Sequence, residues 1–402
     1  MVFLGREIQS IFQPRQQPGG LVLNHPHSFS VSAPDRLTKK TGQDMTKSLH
    51  VSVVTNNRIH ESIPNSTLTG FPKNLHWQQR HKHRFRCQDQ PFVLKQIQIS
   101  NDTNASSSIK LLCFIMTHSG NHRTRIASIQ ETWGQNCDKL VVASNITDEL
   151  MGAIAMSSEA TYKGLWNKLN ETLHYLYRHY HTGQYNWIFK ADDDTYVIVE
   201  NLKTYLAQET ARIIQREEEV QQQEIPLIFG RRYSSPRYRN LERRLVYFGN
   251  PLNADFKTRF YTKMNGNDPV IYNYGGSGYA MNWNFVERFL QIMTGPDTLR
   301  GTPPEDQGLG VVMAYHNIWP RPTRDALGRE RFHPEPPEFI YAMPDKYFRL
   351  WNDNHRATGG ISIGPNCCST ESISFHHIQP VEMRKLHYYL YQCKNGLVEP
   401  IN

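Results

Sequence analysis

The sequence lacks any long run of apolar residues. No stretch of the 402-residue chain reaches the roughly 18 consecutive apolar residues that a membrane-spanning helix needs. Residues 1–30 also lack the apolar core, roughly 7–15 residues long, of a secretory signal peptide. Taken alone, these absences predict a chain without a visible membrane anchor or signal peptide.

Cysteine and apolar residues in general are also scarce. Six Cys are too few for a disulfide-built scaffold, although they allow one to three bridges in an oxidising compartment. Hydrophobic residues make up 38 % of the chain, and counting Gly in place of Tyr leaves the share below the roughly 45–50 % of soluble domains. The 7 Trp, 20 Tyr and 18 Phe nevertheless need a core, which excludes a fully disordered chain.

The charge balance is basic, with a formal net charge of +8. Such a balance is common among proteins that bind nucleic acids or anionic substrates. The basic runs Arg80–Arg86 and Arg231–Arg244 are not accompanied by a recognised nucleic-acid-binding module. We therefore predict no nucleic-acid partner and place the charge in tails and loops.

Alternating strand and helix patterns predict an α/β fold. Apolar residues 109–116 and 186–191 are typical of buried strands, whereas residues 164–180 and 196–206 have helical patterns. Strands that alternate with helices at this spacing indicate βαβ units and a mostly parallel sheet.

The remaining segments divide the chain. Residues 1–107 show no sustained period and are predicted to form a poorly ordered tail or stem, and residues 396–402 a short C-terminal tail. Residues 108–395 are predicted to form one domain. It carries a charged insert at about 207–225 and an irregular insert at about 231–270.

Three consecutive aspartates, Asp192, Asp193 and Asp194, follow directly on the predicted strand 186–191. Adjacent carboxylates repel one another unless a cation neutralises them, and ligands bind at the carboxyl ends of strands in open α/β sheets. Because alternate residues of an extended segment point the same way, Asp192 and Asp194 can share one ion. Oxygen ligands suit Mg²⁺ or Mn²⁺, which could bridge a diphosphate. The plain alternative is a solvated acidic loop.

Further polar residues are candidates for chemistry. Glu305 and Asp306 open a predicted helix, where they can cap its N-terminus or supply a general base for a hydroxyl nucleophile. His376 lies in an apolar stretch, where a lone His is more often structural, but as a third ligand it would favour Mn²⁺. The glycine turn Gly275–Gly278 allows close backbone approach to a ligand, and Trp351 can stack on a sugar or fill the core.

Sequons for N-glycosylation are short and often occur by chance, so the five in this chain only suggest a secretory protein. They occur at Asn65, Asn101, Asn104, Asn145 and Asn170.

Together, these motifs resemble glycosyltransferase family 31, most closely its core 1 β-1,3-galactosyltransferase group. The matching segments occur in the family's order across about 110–395. They are Leu111–Thr117, Thr132–Cys137, Leu165–Lys168, Phe189–Tyr196, Phe229–Arg232, Gly275–Tyr279, Glu305–Gly310, Phe332–Pro334, Gly364–Cys368 and Ser374–His376.

The resemblance implies a GT-A type nucleotide-sugar-binding fold for the catalytic domain at 108–395, which uses UDP-galactose and Mn²⁺. It also implies transfer of galactose in β1,3 linkage to N-acetylgalactosamine that is α-linked to Ser or Thr of a glycoprotein. It implies that the metal is bound by Asp192, Asp194 and His376, and UDP by Met116, Trp166, Lys168 and Asp193. It also implies that Trp351 contacts the acceptor sugar. The catalytic base that it implies is Asp306, with Glu305 as the alternative.

The resemblance has structural consequences as well. It implies the disulfides Cys113–Cys137 and Cys367–Cys368, a Golgi or secretory-pathway lumen, and compatibility with a homodimer. Cys87 and Cys393 have no partner implied by the family pattern. A Cys pair that flanks the Glu-Asp helix in the family is absent here, which puts local stability beside the base in doubt. The family's N-terminal anchor helix is absent too, so we expect that an N-terminal segment has been lost from this sequence, and an alternative first exon that encodes about 20 apolar residues would support this.

Two other functions stay open. One is a non-catalytic, chaperone-like or binding protein on the same fold, and the other is a related transferase with a different acceptor sugar. The intact aspartates, Asp306 and His376 favour an enzyme, because a chaperone does not need a set of metal-binding side chains.

Overall fold

The computed structural model of the protein describes residues 85–156, 160–222, 245–254, 270–295, 303–355 and 359–393. The predicted tails over 1–84 and 396–402, and much of the second insert, lie outside these residues. Within the described ranges, no helix is both long enough and apolar enough to cross a membrane.

The strands of the described residues form one large sheet and two small ones. They are β1 (Leu111–Met116), β2 (Lys139–Ser144), β3 (Ala153–Ala155), β4 (Trp187–Asp192), β5 (Tyr196–Val197), β6 (Tyr247–Gly249), β7 (Pro251–Ala254), β8 (Val270–Asn273), β9 (Tyr279–Asn282), β10 (Phe332–His333) and β11 (Ser374–Phe375). The six-stranded sheet has the order β3-β2-β1-β4-β9-β6. β1 to β4 are parallel, whereas β9 and β6 are antiparallel to their neighbours. The predicted α/β fold with a mostly parallel sheet is confirmed.

Helices cover both faces of this sheet. Those in the described residues are α1 (Phe92–Gln96), α2 (Thr103–Ser108), α3 (Ala127–Glu131), α4 (Leu165–Tyr180), α5 (Val199–Gln222), α6 (Trp283–Met293), α7 (Glu305–Tyr315), α8 (Pro337–Tyr341), α9 (Asp345–Asn354) and α10 (Pro380–Tyr391). A π-helical turn, His122–Ile126, leads into α3.

β1 shows how the sheet separates two apolar layers. All of its residues are buried, as expected for a parallel strand that is covered on both faces. Leu111 and Ile115 point into the layer that contains apolar residues of α3, α5 and α10. Leu112 and Phe114 point into the layer that contains those of α4 and α6. The carboxyl ends of β1 and β4 therefore lie at the edge of a rigid, two-sided core.

Residues 85–107, which the sequence pattern assigned to the tail, pack onto the domain instead. Val93, Leu94 and Ile97 are buried in the same apolar layer as Leu111. Cys87 forms a disulfide with Cys393, just after α10. The segment combines a short helix with extended chain, so it has no sustained period from which burial could be predicted.

The two predicted inserts are more regular than expected. Residues 207–222 of the first insert continue α5 as a charged helix. Tyr196 was predicted to begin the helix over 196–206, but it lies in β5. The described part of 231–270 is not irregular, because β6 adds an edge strand to the central sheet and β7 pairs with β8. Phe248 is fully buried there, so apolar packing explains why the segment is ordered.

Candidate active site

The acidic triplet lies where β4 ends. β4 pairs with β1 so that Met116 lies beside Asp192, and Asp193 and Asp194 follow in the turn that leads to β5. The partners of the three carboxylates overlap in part, because Arg125 contacts both Asp193 and Asp194, whereas Lys190 contacts Asp192.

β11 brings His376 to this turn. Phe375 pairs with Tyr196 across the antiparallel β5–β11 ladder, so the residues after Phe375 lie next to those before Tyr196. Its Nε2 lies 3.1 Å from Oδ1 of Asp194 and 4.0 Å from Oδ2 of Asp192. One ligand atom from each of Asp194, His376 and His377 falls within a 4.8 Å group. Carboxylate oxygens and imidazole nitrogens fit a divalent first-row metal ion.

The charges of this cluster are mutually stabilised. Burial opposes ionisation of Asp194, but His376 and Arg125 hold the pKa of Asp194 well below its ordinary value. Burial lowers the pKa of His376, and Asp194 overcomes this effect and raises it. Arg125 Nη1 lies 2.7 Å from Oδ1 of Asp193 and 3.1 Å from Oδ2 of Asp194.

Asp193 faces the end of β1. Its Oδ2 accepts hydrogen bonds from Oγ1 of Thr117 at 2.6 Å and from Nδ2 of Asn121 at 2.8 Å. Lys168, which is buried, donates to the carbonyl of Thr117 at 2.7 Å. Of the residues predicted to bind UDP, Met116, Lys168 and Asp193 therefore gather at one edge of the sheet.

Trp166 lies in the apolar layer below that edge. Its ring meets Phe289 of α6 edge-on, with centroids 5.9 Å apart. A Cβ added at Gly308 would lie 2.8 Å from the ring, so Trp166 also packs tightly against α7. Only 3 % of Trp166 is exposed, which makes it a support of the site in this structure rather than an open wall.

Glu305 and Asp306 begin α7 and have different partners. Lys190, fully buried on β4, lies 2.6 Å from Oε1 of Glu305 and 2.7 Å from Oδ1 of Asp192. Asp306 accepts hydrogen bonds from the backbone N–H groups of Gly275 and Gln307. Burial, and then the charge of Glu305, raises the pKa of Asp306 to about 7. Lys190 thus holds Glu305 as an ion-pair partner, while Asp306 has the pKa expected of a base at neutral pH.

The glycine turn joins the two acidic clusters. A Cβ added at Gly275 would lie 3.1 Å from Nζ of Lys190 and 3.2 Å from Cβ of Asp306. A Cβ added at Gly276 would lie 2.7 Å from Nε2 of His376 and closer still to two other ring atoms. At Gly275 and Gly276 the turn therefore separates Asp306 from His376 by backbone without side chains.

An aromatic wall lies next to His376. Tyr274 meets the ring of Trp351 at 5.7 Å between centroids and places its Oη 3.4 Å from Nδ1 of His376. A side-chain hydrogen bond joins Trp351 to Glu335, in which the indole N–H is the donor. Burial raises the pKa of Glu335 to about 7. Trp351, the predicted acceptor contact, is thus held in one orientation beside Tyr274, and it is largely buried in the same apolar layer as Leu111.

Two comparisons relate this chain to known proteins. The Fringe-like family matches residues 107–212, which include β1, β4 and the acidic triplet. Glycoprotein-N-acetylgalactosamine 3-beta-galactosyltransferase 1 of Xenopus laevis is 30 % identical over 292 residues, or 72 % of this chain and 68 % of that protein.

The chain belongs to glycosyltransferase family 31. The Fringe-like match ends before α7, so the distinction between Glu305 and Asp306 in this family 31 protein rests on the hydrogen bonds and ion pairs described above.

Sequence reasoning missed five polar residues that surround the predicted ones: Lys190, Arg125, Tyr274, Glu335 and His377. Lys190 carried a usable signal, because a Lys within an apolar strand is rarely buried without a charged partner. Tyr274 and His377 adjoin Gly275 and His376 in sequence, whereas Arg125 and Glu335 meet the site only through tertiary contacts that no local pattern marks.

All six cysteines are paired. Cys113 is bonded to Cys137 and Cys367 to Cys368, the pairs that the family resemblance implied. The third bridge is Cys87–Cys393, which the sequence left unassigned. α7 is held without the family's flanking Cys pair, because most of its residues are buried and an added Cβ at Gly310 would collide with Tyr272.

Proposed function

We propose that this protein is an inverting galactosyltransferase. It transfers galactose from UDP-galactose in β1,3 linkage to N-acetylgalactosamine α-linked to Ser or Thr of glycoproteins. The observation that supports this most strongly is the glycine turn. The proposed base, the buried Asp306, accepts a hydrogen bond from Gly275, and the proposed metal ligand His376 packs against Gly276. The named activity of the Xenopus relative supports the choice of sugars.

Asp192, Asp194 and His376 would hold Mn²⁺, and His377, which forms a close group with Asp194 and His376, would be a further nitrogen donor. Bound there, the ion would neutralise negative charge on the diphosphate of the donor. His376 and, to a smaller extent, Arg125 hold the pKa of Asp194 below its ordinary value, so the carboxylate is ionised at neutral pH.

Asp306 is the proposed base. Two backbone N–H groups orient its carboxylate, and its raised pKa lets it take a proton from a hydroxyl near pH 7. The 3-hydroxyl oxygen of the acceptor forms a bond to C1 of galactose as the bond from C1 to the diphosphate oxygen breaks. The hydroxyl proton goes to Asp306 and the electron pair to UDP, with inversion at C1 and no covalent enzyme intermediate.

The remaining residues position the substrates. Met116, Lys168 and Asp193 would line the UDP pocket at the end of β1, with Trp166 supporting it from below. Trp351 would stack on the acceptor sugar, an arrangement that suits its fixed ring beside Tyr274.

The paired cysteines support a site of action in the lumen of the Golgi or secretory pathway. Disulfides persist in oxidising compartments and are rare in the cytosol, and here all six cysteines form them.

One assay tests the proposal. Folded protein with Mn²⁺ is incubated with a panel of UDP-sugars and with glycopeptides that carry different acceptor sugars. We expect turnover with UDP-galactose and the N-acetylgalactosamine-α-Ser/Thr glycopeptide. Turnover with another pair would show a related transferase, and no turnover with any pair would favour the chaperone-like alternative.

A pair of variants separates the two acids of α7. Asp306→Asn should lower kcat by at least ~10²-fold, the usual size of a general-base contribution, while UDP binding persists. Glu305→Gln should retain more activity, because Glu305 is an ion-pair partner of Lys190. The opposite order would reassign the base to Glu305.

A further inference from the structure

A polar cavity of about 310 Å³ lies between residues 98–101 and α5. Its size is at the lower end of ligand-binding cavities. It shares no lining residue with the candidate active site, and neither the metal-binding group nor the base reaches it. Its lining includes Gln98, Asn101, Tyr205, Gln208, Arg331 and Glu371.

The chemistry of this lining suits a neutral, hydroxyl-rich ligand. Gln98 and Gln208 present exposed amides, which can both donate and accept hydrogen bonds. Arg331 donates to the carbonyl of Thr323 at 2.9 Å and to Glu371 at 2.7 Å, so its positive charge is balanced. An anion would find no uncompensated cation among these side chains, whereas a sugar would find matching donors and acceptors.

A glycosylation sequon lies at the rim of the cavity. Asn101, of the sequon Asn101-Asp102-Thr103, lines the cavity and is exposed. The other sequons of the described residues are placed differently. Asn104 is exposed but does not line the cavity, Oδ1 of Asn145 accepts from the N–H of Ser119 at 2.8 Å, and Oδ1 of Asn170 is buried.

We propose that Asn101 carries an N-linked glycan whose first N-acetylglucosamine occupies this cavity. The inference rests on the proposed function only through the secretory-pathway location. In the modification, Nδ2 of Asn101 forms a bond to C1 of a lipid-diphosphate-linked oligosaccharide and loses a proton, as the C1–O bond to the diphosphate breaks. The host enzyme that modifies sequons supplies this reaction.

The glycan would strengthen contacts that already join this segment to α5. Ser100 donates its N–H to Oδ1 of Asn201 at 2.8 Å, and Thr204 donates its hydroxyl to Oγ of Ser100 at 2.7 Å. A tethered sugar has a high effective concentration, so weak cavity contacts suffice to hold it. We therefore expect the first sugar to stabilise the fold by clamping residues 98–101 onto α5.

The first experiment locates the glycan. The full chain is secreted from eukaryotic cells with a cleavable leader, treated with peptide N-glycosidase in ¹⁸O-water, and analysed by peptide mass spectrometry. We expect ¹⁸O-labelled Asp at position 101, and its loss in Thr103→Ala, which removes the sequon but keeps Asn101. Asn104→Gln, the matched control, should leave the label at Asn101 intact. An unmodified Asn101 in the secreted protein overturns the proposal.

The second experiment tests the cavity. The melting temperature is compared for the intact glycoprotein, for protein trimmed to a single N-acetylglucosamine, and for Thr103→Ala. We expect the first two to agree and the third to melt lower, with the difference reduced in Gln208→Ala. A trimmed form that melts like Thr103→Ala overturns the placement in the cavity. Transferase activity is measured on the same samples, so a glycosylated but inactive protein contradicts only the proposed function.

Discussion

Replacing Lys190 with Met should destabilise this protein severely. Lys190 is fully buried and contacts two carboxylates, Oε1 of Glu305 at 2.6 Å and Oδ1 of Asp192 at 2.7 Å. Burial alone would lower the pKa of Lys190, but Asp192 and Glu305 raise it above its ordinary value, so the ammonium is charged. The Met side chain has a similar length but leaves both carboxylates without their cation.

The expected magnitude follows from this geometry. Removing one partner of a buried ion pair costs about 3–5 kcal/mol, a large share of the roughly 5–15 kcal/mol by which domains are stable. Glu305→Gln should cost less, about 1.5–3 kcal/mol for a hydrogen bond to a charged group, because Lys190 keeps Asp192 as a partner. In the double variant no unpaired charge remains at position 305, so we expect a coupling of about 0.5–3 kcal/mol.

Urea unfolding of the four proteins, without added metal or nucleotide, measures these free energies. Lys110→Met is the matched control, because Lys110 is 54 % exposed and 3.8 Å from Asp138, and such pairs contribute about 0–1 kcal/mol. Strictly additive losses for Lys190 and Glu305, or a Lys190→Met loss no larger than that of Lys110→Met, would refute the ion-pair reasoning.

Three more outcomes follow from the site. Gly276→Ala should abolish Mn²⁺-dependent UDP binding, measured by calorimetry, because the new Cβ would overlap the ring of His376. The kcat/KM for transfer should rise with pH through about 7, because the raised pKa of Asp306 leaves the base protonated, and inactive, below that pH. Glu335→Leu should raise the KM for the acceptor more than it lowers kcat and leave the KM for UDP-galactose unchanged, because Trp351 loses the partner that orients it.

Each of these outcomes has a control. Gly295→Ala should bind UDP normally, because its Cβ would approach no atom of the described residues closer than 3.3 Å, and normal binding by Gly276→Ala would contradict the steric argument. Glu335→Gln keeps a hydrogen-bond acceptor for Trp351 and should have a nearly normal acceptor KM. A kcat/KM that does not change between pH 5 and 8 would remove Asp306 as the base.

Local patterns predicted the elements that carry the chemistry. The apolar run before Asp192 predicted β4, and the acidic triplet predicted a cation site at its carboxyl end. Both inferences need only neighbouring residues, because a strand's burial and the repulsion among adjacent carboxylates are properties of a short segment. The sequence also predicts Glu305 and Asp306 as candidate acids, because their place at the start of the predicted helix α7 is a local pattern.

Contacts between segments that are distant in sequence are visible only in the tertiary structure. The β5–β11 pairing brings His376 to Asp194, and the disulfide Cys87–Cys393 ties a supposed tail to the last helix. Both join segments far apart in sequence, and periodicity contains no information about which distant segments meet.

The α/β class, the acidic end of β4 and the family resemblance follow from residue type and order alone. The difference between the two acids of α7 arises only in the folded chain. Glu305 and Asp306 are adjacent and chemically alike, so they differ only through burial and partners. Lys190 pairs with Glu305, while burial and the charge of Glu305 raise the pKa of Asp306 to about 7 against the opposing effect of the Gly275 hydrogen bond.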